Sequence, residues 1–301
     1  MSSSTAPLTG TQAAQRGRLR SMRSAFSGQP AVFWVTSAVI LFYVLVAIFG
    51  PLLIHYNPIN TPLLDRLKPP GSHVQGGGIA LLGTDGTGRD ILAQLIYGAR
   101  TSVTIGVLTV SICCVVGVTI GVLAGFFGGL VDAILSRIID VLLAFPGIVL
   151  AIVVAGLFTR SIWVVVIALA LTGWISFARL SRSSALSIRR REWVEAARVL
   201  GVRPLSIMFR HVLPFVIGPV GALLTIEFGL IVLAEAGLSF LGIGLPSTTV
   251  SWGQTIAAGK EYLATAWWIS AFPGITLAVL LLMVGLLGDH LNSRYQRGAT
   301  R

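Results

Sequence analysis

Between Ala31 and Ile54 the chain carries no charged side chain. At 1.5 Å of rise per residue, this run makes a helix of roughly 36 Å, enough to cross a bilayer core of about 30 Å with some tilt. Runs of the same character recur at 101–127, 138–158, 162–178, 215–241 and 268–291. Lipid offers the backbone no hydrogen-bond partner, so each N–H and C=O must be satisfied within its own segment. The expectation is therefore an all-α membrane protein with six transmembrane helices. Composition agrees: 54% of the residues are hydrophobic and 11% are charged, where a soluble domain has about a quarter charged. Mean hydropathy is +0.86.

The net charge of +11 does not imply nucleic acid, because the basic residues sit in short segments between apolar runs. Placing the N-terminus inside puts 16 of the 22 Lys and Arg on the cytoplasmic side, which is the asymmetry of a multi-pass protein with both ends inside. The chain then divides into a basic cytoplasmic tail (1–30), a first transmembrane helix (31–54), an extracytoplasmic segment (55–100), a core of five helices (101–291, with a polar loop at 179–213) and a cytoplasmic tail (292–301). Arg137 marks a cytoplasmic turn in this scheme. Gly117, Gly121 and Gly125 recur every fourth residue, the spacing that lets membrane helices approach closely. The pentapeptide Ala-Phe-Pro-Gly-Ile occurs at 144–148 and again at 271–275, and both copies read as local helix kinks. Asp85 or Thr87 is expected to cap a helix beginning near Asp90.

Little chemistry is encoded. Cys113 and Cys114 are adjacent in an apolar run and make no disulfide framework. His55, His73, His211 and His290 lack ligand spacing, so no metal and no cofactor is expected. Gly83–Gly88 lacks the Lys-Ser/Thr ending of a phosphate loop. Three carboxylates fall in or beside apolar runs: Asp140, Glu227 and Glu235. Such groups are expensive in a membrane and mark pathway positions or helix braces. Glu227 and Glu235 are eight apart and share roughly one helix face.

The most positively charged interruption for its length, 189–214, has a definite local logic. Helix formers run from Glu192 to Leu200, and Gly201 suits the left-handed residue that ends a helix. Pro204 then opens a second short helix and Pro214 a third, since a first turn tolerates a missing N–H. Ala196 and Ala197 permit close approach by a partner. Glu195 is placed to pair with Arg191 or Arg198.

Glu195-Ala196-Ala197, Gly201 and Leu213-Pro214, with Arg210-His211 before them, resemble the "EAA" loop of ATP-binding-cassette importer permeases, in the dipeptide/oligopeptide/nickel branch. Leu82–Asp85, Gly88–Asp90, Tyr97–Arg100, Ile139–Pro146, Glu235–Gly242, Ser251–Gly253 and Leu287–Asp289 carry the same resemblance, which extends from about residue 31 to 291. Phe215 stands where Asn is common in the family, and Ser247-Thr248-Thr249 where a Pro-Pro pair is common. The resemblance implies a type I importer permease fold with cytoplasmic coupling helices, in a bacterial plasma membrane. It also implies a homologous second permease, two cytoplasmic ATPase subunits and an extracytoplasmic solute-binding protein. Glu195, Ala196, Ala197, Gly201, His211, Leu213 and Pro214 would couple to the ATPases. The chain itself would not be an enzyme: it would move peptides by alternating access while other subunits hydrolyse ATP. A secondary transporter coupled to protons or ions is the alternative, with Glu227 beside a helix break at Gly218-Pro219. A membrane-embedded enzyme lacks any catalytic pair.

Overall fold

The computed structural model describes residues 31–54, 57, 60–75 and 77–299, without the side chains of 294–299. The expectations for the 1–30 tail, for His55 and for the side chains of the C-terminal tail beyond Ser293 lie outside what is described. Helix dominates the described residues. Among them, five helices are long and apolar enough to cross a membrane, and a bent pair supplies a sixth crossing if it counts as one span.

Helix α1, Ala31–Leu53, is the uncharged run. The segment that follows holds a two-residue antiparallel hairpin, β1 (Ser72–His73) and β2 (Ile79–Ala80), with Ser72 opposite Ala80. Strands this short leave no alternation to read in a sequence. Helix α2, Ile91–Phe127, begins ten residues before the apolar run. Asp90 itself is the cap, accepting from the N–H of Leu92 at 2.6 Å and of Ala93 at 3.3 Å. Asp85, an expected cap, instead knits the preceding loop. Its carboxylate accepts from the Thr87 N–H and hydroxyl (2.7 Å each), the Arg89 N–H (2.9 Å) and Nε (3.0 Å), and Gln94 Nε2 (2.8 Å). Burial alone would raise its pKa, but the Thr87 hydrogen bonds and the Arg89 charge outweigh burial and hold it below the usual carboxylate range.

Helix α2 is followed at once by α3, Gly129–Leu143. Gly128 and Gly129 have φ of +68° and +55°, so the chain turns there and not at Arg137, which lies inside α3. Helix α4, Gly147–Leu157, is bent 80° from α3. The first Ala-Phe-Pro-Gly-Ile copy makes this bend, because Pro146 forces Phe145 away from helical geometry. The second copy leaves its helix continuous. Pro273 lies in the second turn of α10, Trp268–Ala299, where it removes one hydrogen bond near the helix start.

Helix α5, Ile162–Arg189, continues eleven residues beyond the apolar run. No Gly or Pro interrupts the extension, and its Ser181, Ala185 and Ile188 are buried. Then come α6 (Glu192–Val199), α7 (Pro204–Ile207), a π-helical turn over Met208–Val212, and α8 (Leu213–Phe240). The expected break at Gly218-Pro219 is absent: Pro219 lies inside α8. One lost hydrogen bond is tolerated where neighbouring helices support the backbone. Outside the spans, α9 (Trp252–Gly259) packs back on the bundle, its Trp252 Nε1 donating to the Leu95 carbonyl at 3.0 Å.

The core lies between α2, α5 and α8, around Ile105, Val165, Val166, Phe177, Val216 and Leu238. The glycine stripe makes it compact. A Cβ at Gly117, Gly121 or Gly125 would come within 3.0 Å of the carbonyl oxygens of Trp174, Ala178 and Arg182, one turn apart on α5. Gly285, by contrast, has open space at its Cβ position. Gly121→Leu should therefore cost about 1–3 kcal/mol through overpacking, with lower thermal stability in detergent at unchanged membrane insertion. Gly285→Ala should leave the melting temperature as it is. Equal melting of the two variants would refute the close contact.

Candidate functional site

The polar segment between α5 and α8 combines short helices with exposed apolar side chains. Helix α6 buries Val194 against the bundle, while Glu195 and Ala196 face outward and Ala197 is half-buried. Val199 and Leu200 at its end are 84% and 82% exposed, and Leu205 and Phe209 are exposed after the turn.

Gly201 shapes this surface. Its φ is +77°. Its N–H donates to the Arg198 carbonyl at 2.9 Å, and the Val202 N–H to Ala197 at 3.1 Å, the pairing of a Schellman cap. Pro204 opens α7. The chain then passes without a gap through the π-helical turn into α8, so Leu213 and Pro214 begin a helix already under way. Leu213 donates to the Met208 carbonyl across this wider turn. π-Turns of this kind mark functional sites in many helices.

Several ties to the bundle were not visible in the sequence. Trp193 lies 5.8 Å from the His211 ring and 5.6 Å from Phe215, joining the first turn of α6 to the segment after α7. Phe215, the departure from the family pattern, thus contributes packing. Arg189 Nη1 donates to the Phe126 carbonyl at 3.1 Å, closing the end of α2. Arg198 stacks over the Phe126 ring at 5.9 Å. Arg182 makes a two-pronged pair with Asp132 on α3. Glu195 approaches Arg198 only to 3.9 Å and is 67% exposed, so that pair contributes little to stability.

The three intramembrane carboxylates separate. Asp140 is exposed on α3, four residues before the bend. Glu227 and Glu235 are buried on α8. Glu227 is hydrogen-bonded by Ser176 of α5. Glu235 has no exposed surface: Ser102 of α2 donates to one oxygen at 2.8 Å and Ser239, one turn on, to the other at 2.7 Å. Ser251, the cap of α9, also hydrogen-bonds it. The Ser239 contact was legible as an i,i+4 spacing. The Ser102 contact joins residues 133 apart and carries no local signal. Among the described residues, no group of three or more His, Cys, Asp or Glu could hold a metal.

Residues 117–297 match the family described as binding-protein-dependent transport system inner membrane component. A putative peptide transport system permease protein of Brucella suis is 38% identical over 86% of this chain and 85% of its own length. The dipeptide transport system permease protein DppC of Alkalihalophilus pseudofirmus is 34% identical, covering 84% of this chain and 81% of its own. The oligopeptide transport system permease protein OppC of Bacillus subtilis is 32% identical with the same coverage. Among solved structures, an inward-facing conformation of the MetNI methionine ABC transporter superposes at a TM-score of 0.55, over 68% of this chain and 97% of that one, at 18% identity. That likeness establishes the fold. A bundle of apolar helices, an outward-facing Glu-Ala-Ala helix turned at Gly201 and relatives matched over most of their length converge on one conclusion: this chain belongs to the family of binding-protein-dependent transport system inner membrane components.

Proposed function

We propose that this permease conducts di- or oligopeptides as one half of a heterodimeric channel, and that its segment from Glu192 to Leu213 is the handle by which separate ATPase subunits move it. The observation that carries this is the exposed apolar surface around Glu195, Ala196, Ala197, Val199 and Leu200, on a segment that runs directly into a span. The names of the peptide-permease relatives support the substrate class. His211, Leu213 and Pro214 lie on the run linking that surface to α8, with His211 held by Trp193. Motion imposed on α6 and α7 would pass into α8 and open the path between two permeases alternately to each side. Such driving requires that the ATPases bind the two conformers with different free energy.

The arginine distribution supports a cytoplasmic placement of this segment and of both termini, within a bacterial plasma membrane. In a variant lacking Cys113 and Cys114, Ser247→Cys should react with an impermeant thiol reagent in intact cells, and Ser184→Cys should not. Labelling of Ser184→Cys from outside would invert the topology.

Gly201→Val places a side chain in a left-handed conformation, at a local cost of about 1–2 kcal/mol. Its Cβ would meet no neighbouring atom, so the bundle should still insert and assemble. Redirection of α7 and the apolar surface should nonetheless sharply lower co-purification of the ATPases, or their stimulation by solute-loaded binding protein. Glu195→Lys should act similarly. Wild-type subunit stoichiometry and stimulation in both variants would leave the segment a mere basic loop.

Glu227 is the pathway candidate, since it is buried where α8 meets α5 yet retains some exposed surface. Asp140 and Glu235 are assigned supporting places, at the bend and at the outer end of α8. Glu227→Gln should lower peptide uptake in reconstituted vesicles more than it lowers assembly. Parallel loss of uptake and assembly would make Glu227 a brace only.

A further inference from the structure

A groove runs between α1 and α2 on the face that no other described element covers. One stripe of α2, with Arg100, Val103, Thr104 and Val107 at spacings of three and four, faces Ala47 and Ile48 of α1 across a cavity of about 470 Å³. That volume is in the range of small-molecule sites, about 300–1,000 Å³. Its walls are apolar except at one end, where Arg100 and Thr104 stand one turn apart. No acidic residue lines it. Arg100 is exposed and forms no ion pair or hydrogen bond among the described residues. It also lies immediately before the uncharged run 101–127, at the end of α2 that carries the outer segment.

An Arg at a bilayer boundary directs its guanidinium toward the headgroup level while its stem stays on apolar surface. There it needs an anion, and the guanidinium fork matches phosphate oxygens. Thr104, one turn deeper, offers a hydroxyl at the level where headgroup gives way to acyl chain. Below it only apolar side chains follow. A polar, cationic mouth on an apolar trough is the complement of an amphiphile with a negative head. A headgroup that carries its own amine would place a second cation beside Arg100, so the arrangement favours a net-negative lipid.

We propose that the α1–α2 groove is a binding site for an anionic phospholipid, with the phosphate on Arg100, the glycerol region at Thr104 and an acyl chain along Val103 and Val107 against Ala47 and Ile48. The site is independent of the coupling segment, so failure of either proposal leaves the other standing.

The test uses the full-length protein in its purified membrane assembly, in nanodiscs of phosphatidylcholine with graded phosphatidylglycerol. Native mass spectrometry then counts the phosphatidylglycerol retained after release. Arg100→Gln should weaken retention about fivefold, as expected for one cation at an anionic surface. Arg100→Lys should keep most of it. Val107→Trp, which fills the trough and leaves the cation intact, should lose it as well. Equal retention by wild type and Arg100→Gln would overturn the proposal, as would full retention by Val107→Trp. A disulfide from Val107→Cys to a sister permease at high yield would also overturn it, by showing that protein occupies the groove. If Arg100→Gln fails to assemble, Val107→Trp and Arg100→Lys decide the matter.

Discussion

The contact of α2 with α5 through bare backbone is the interaction on which the remaining architecture rests. Membrane helices gain nothing from hiding apolar surface from one another, because lipid is equally apolar. Close van der Waals approach must supply the attraction, and three glycines in register with three carbonyls on α5 provide it. With α2 fixed in this way, its flanks become available to α8, α1 and α9. Gly98 seats the Trp252 ring and Gly106 seats Phe228 and Val232 by the same means. At the Phe127 end of α2, Arg189 and Arg198 close on Phe126. Helix α2 is therefore the post around which the other spans are arranged.

Helix α8 plays a different mechanical part. From Pro204 to Phe240 the chain is one helical span of 37 residues, roughly 55 Å long. One end carries the Schellman turn at Gly201 and the exposed apolar surface. The other ends near the buried carboxylate of Glu235, tied to α2 through Ser102 and to α9 through Ser251. The polar chain extends further, since Thr255 of α9 donates to Gln94, and Gln94 donates to Asp85 in the loop before α2. A buried charge with one partner removed is costly, whereas a fully bonded one specifies a geometry. The network thus ties the Phe240 end of α8 to the segment that precedes α2. The π-turn at Met208–Val212 lies toward the opposite end, beside the surface proposed to receive the ATPases.

Local chemistry was readable along the chain wherever partners lie within a turn or two. Residues 31–53 carry no charge and are overwhelmingly apolar, so their fate in lipid is forced. The Gly201 turn follows from one residue without a Cβ after a run of helix formers, and Pro204 from a ring that suits a first turn. These conclusions need only spacing and side-chain type. The misplaced features have an equally local cause. The turn at Gly128-Gly129 was credited to Arg137 because charge suggests a loop, yet Arg137 lies on an exposed part of α3. Helix α5 outran its apolar run because helix ends follow hydrogen bonds and packing rather than hydropathy, and Ser181 and Ala185 remain buried beyond it.

By itself, the sequence determined that this chain lives in a bilayer as a bundle of helices, and that a polar Glu-Ala-Ala segment turning at a glycine interrupts it. Both follow from backbone hydrogen-bond requirements and residue sterics acting over a few positions. Only the tertiary structure decided which of two identical pentapeptides interrupts its helix, which hydroxyls meet Glu235, which arginines close the end of α2, and that Arg100 opens onto an apolar trough with no ion pair or hydrogen bond among the described residues. Those outcomes depend on residues tens to hundreds of positions apart being brought within about 3 Å, where hydrogen bonds form. Such distances are set by the packing of whole helices and leave no trace in local spacing.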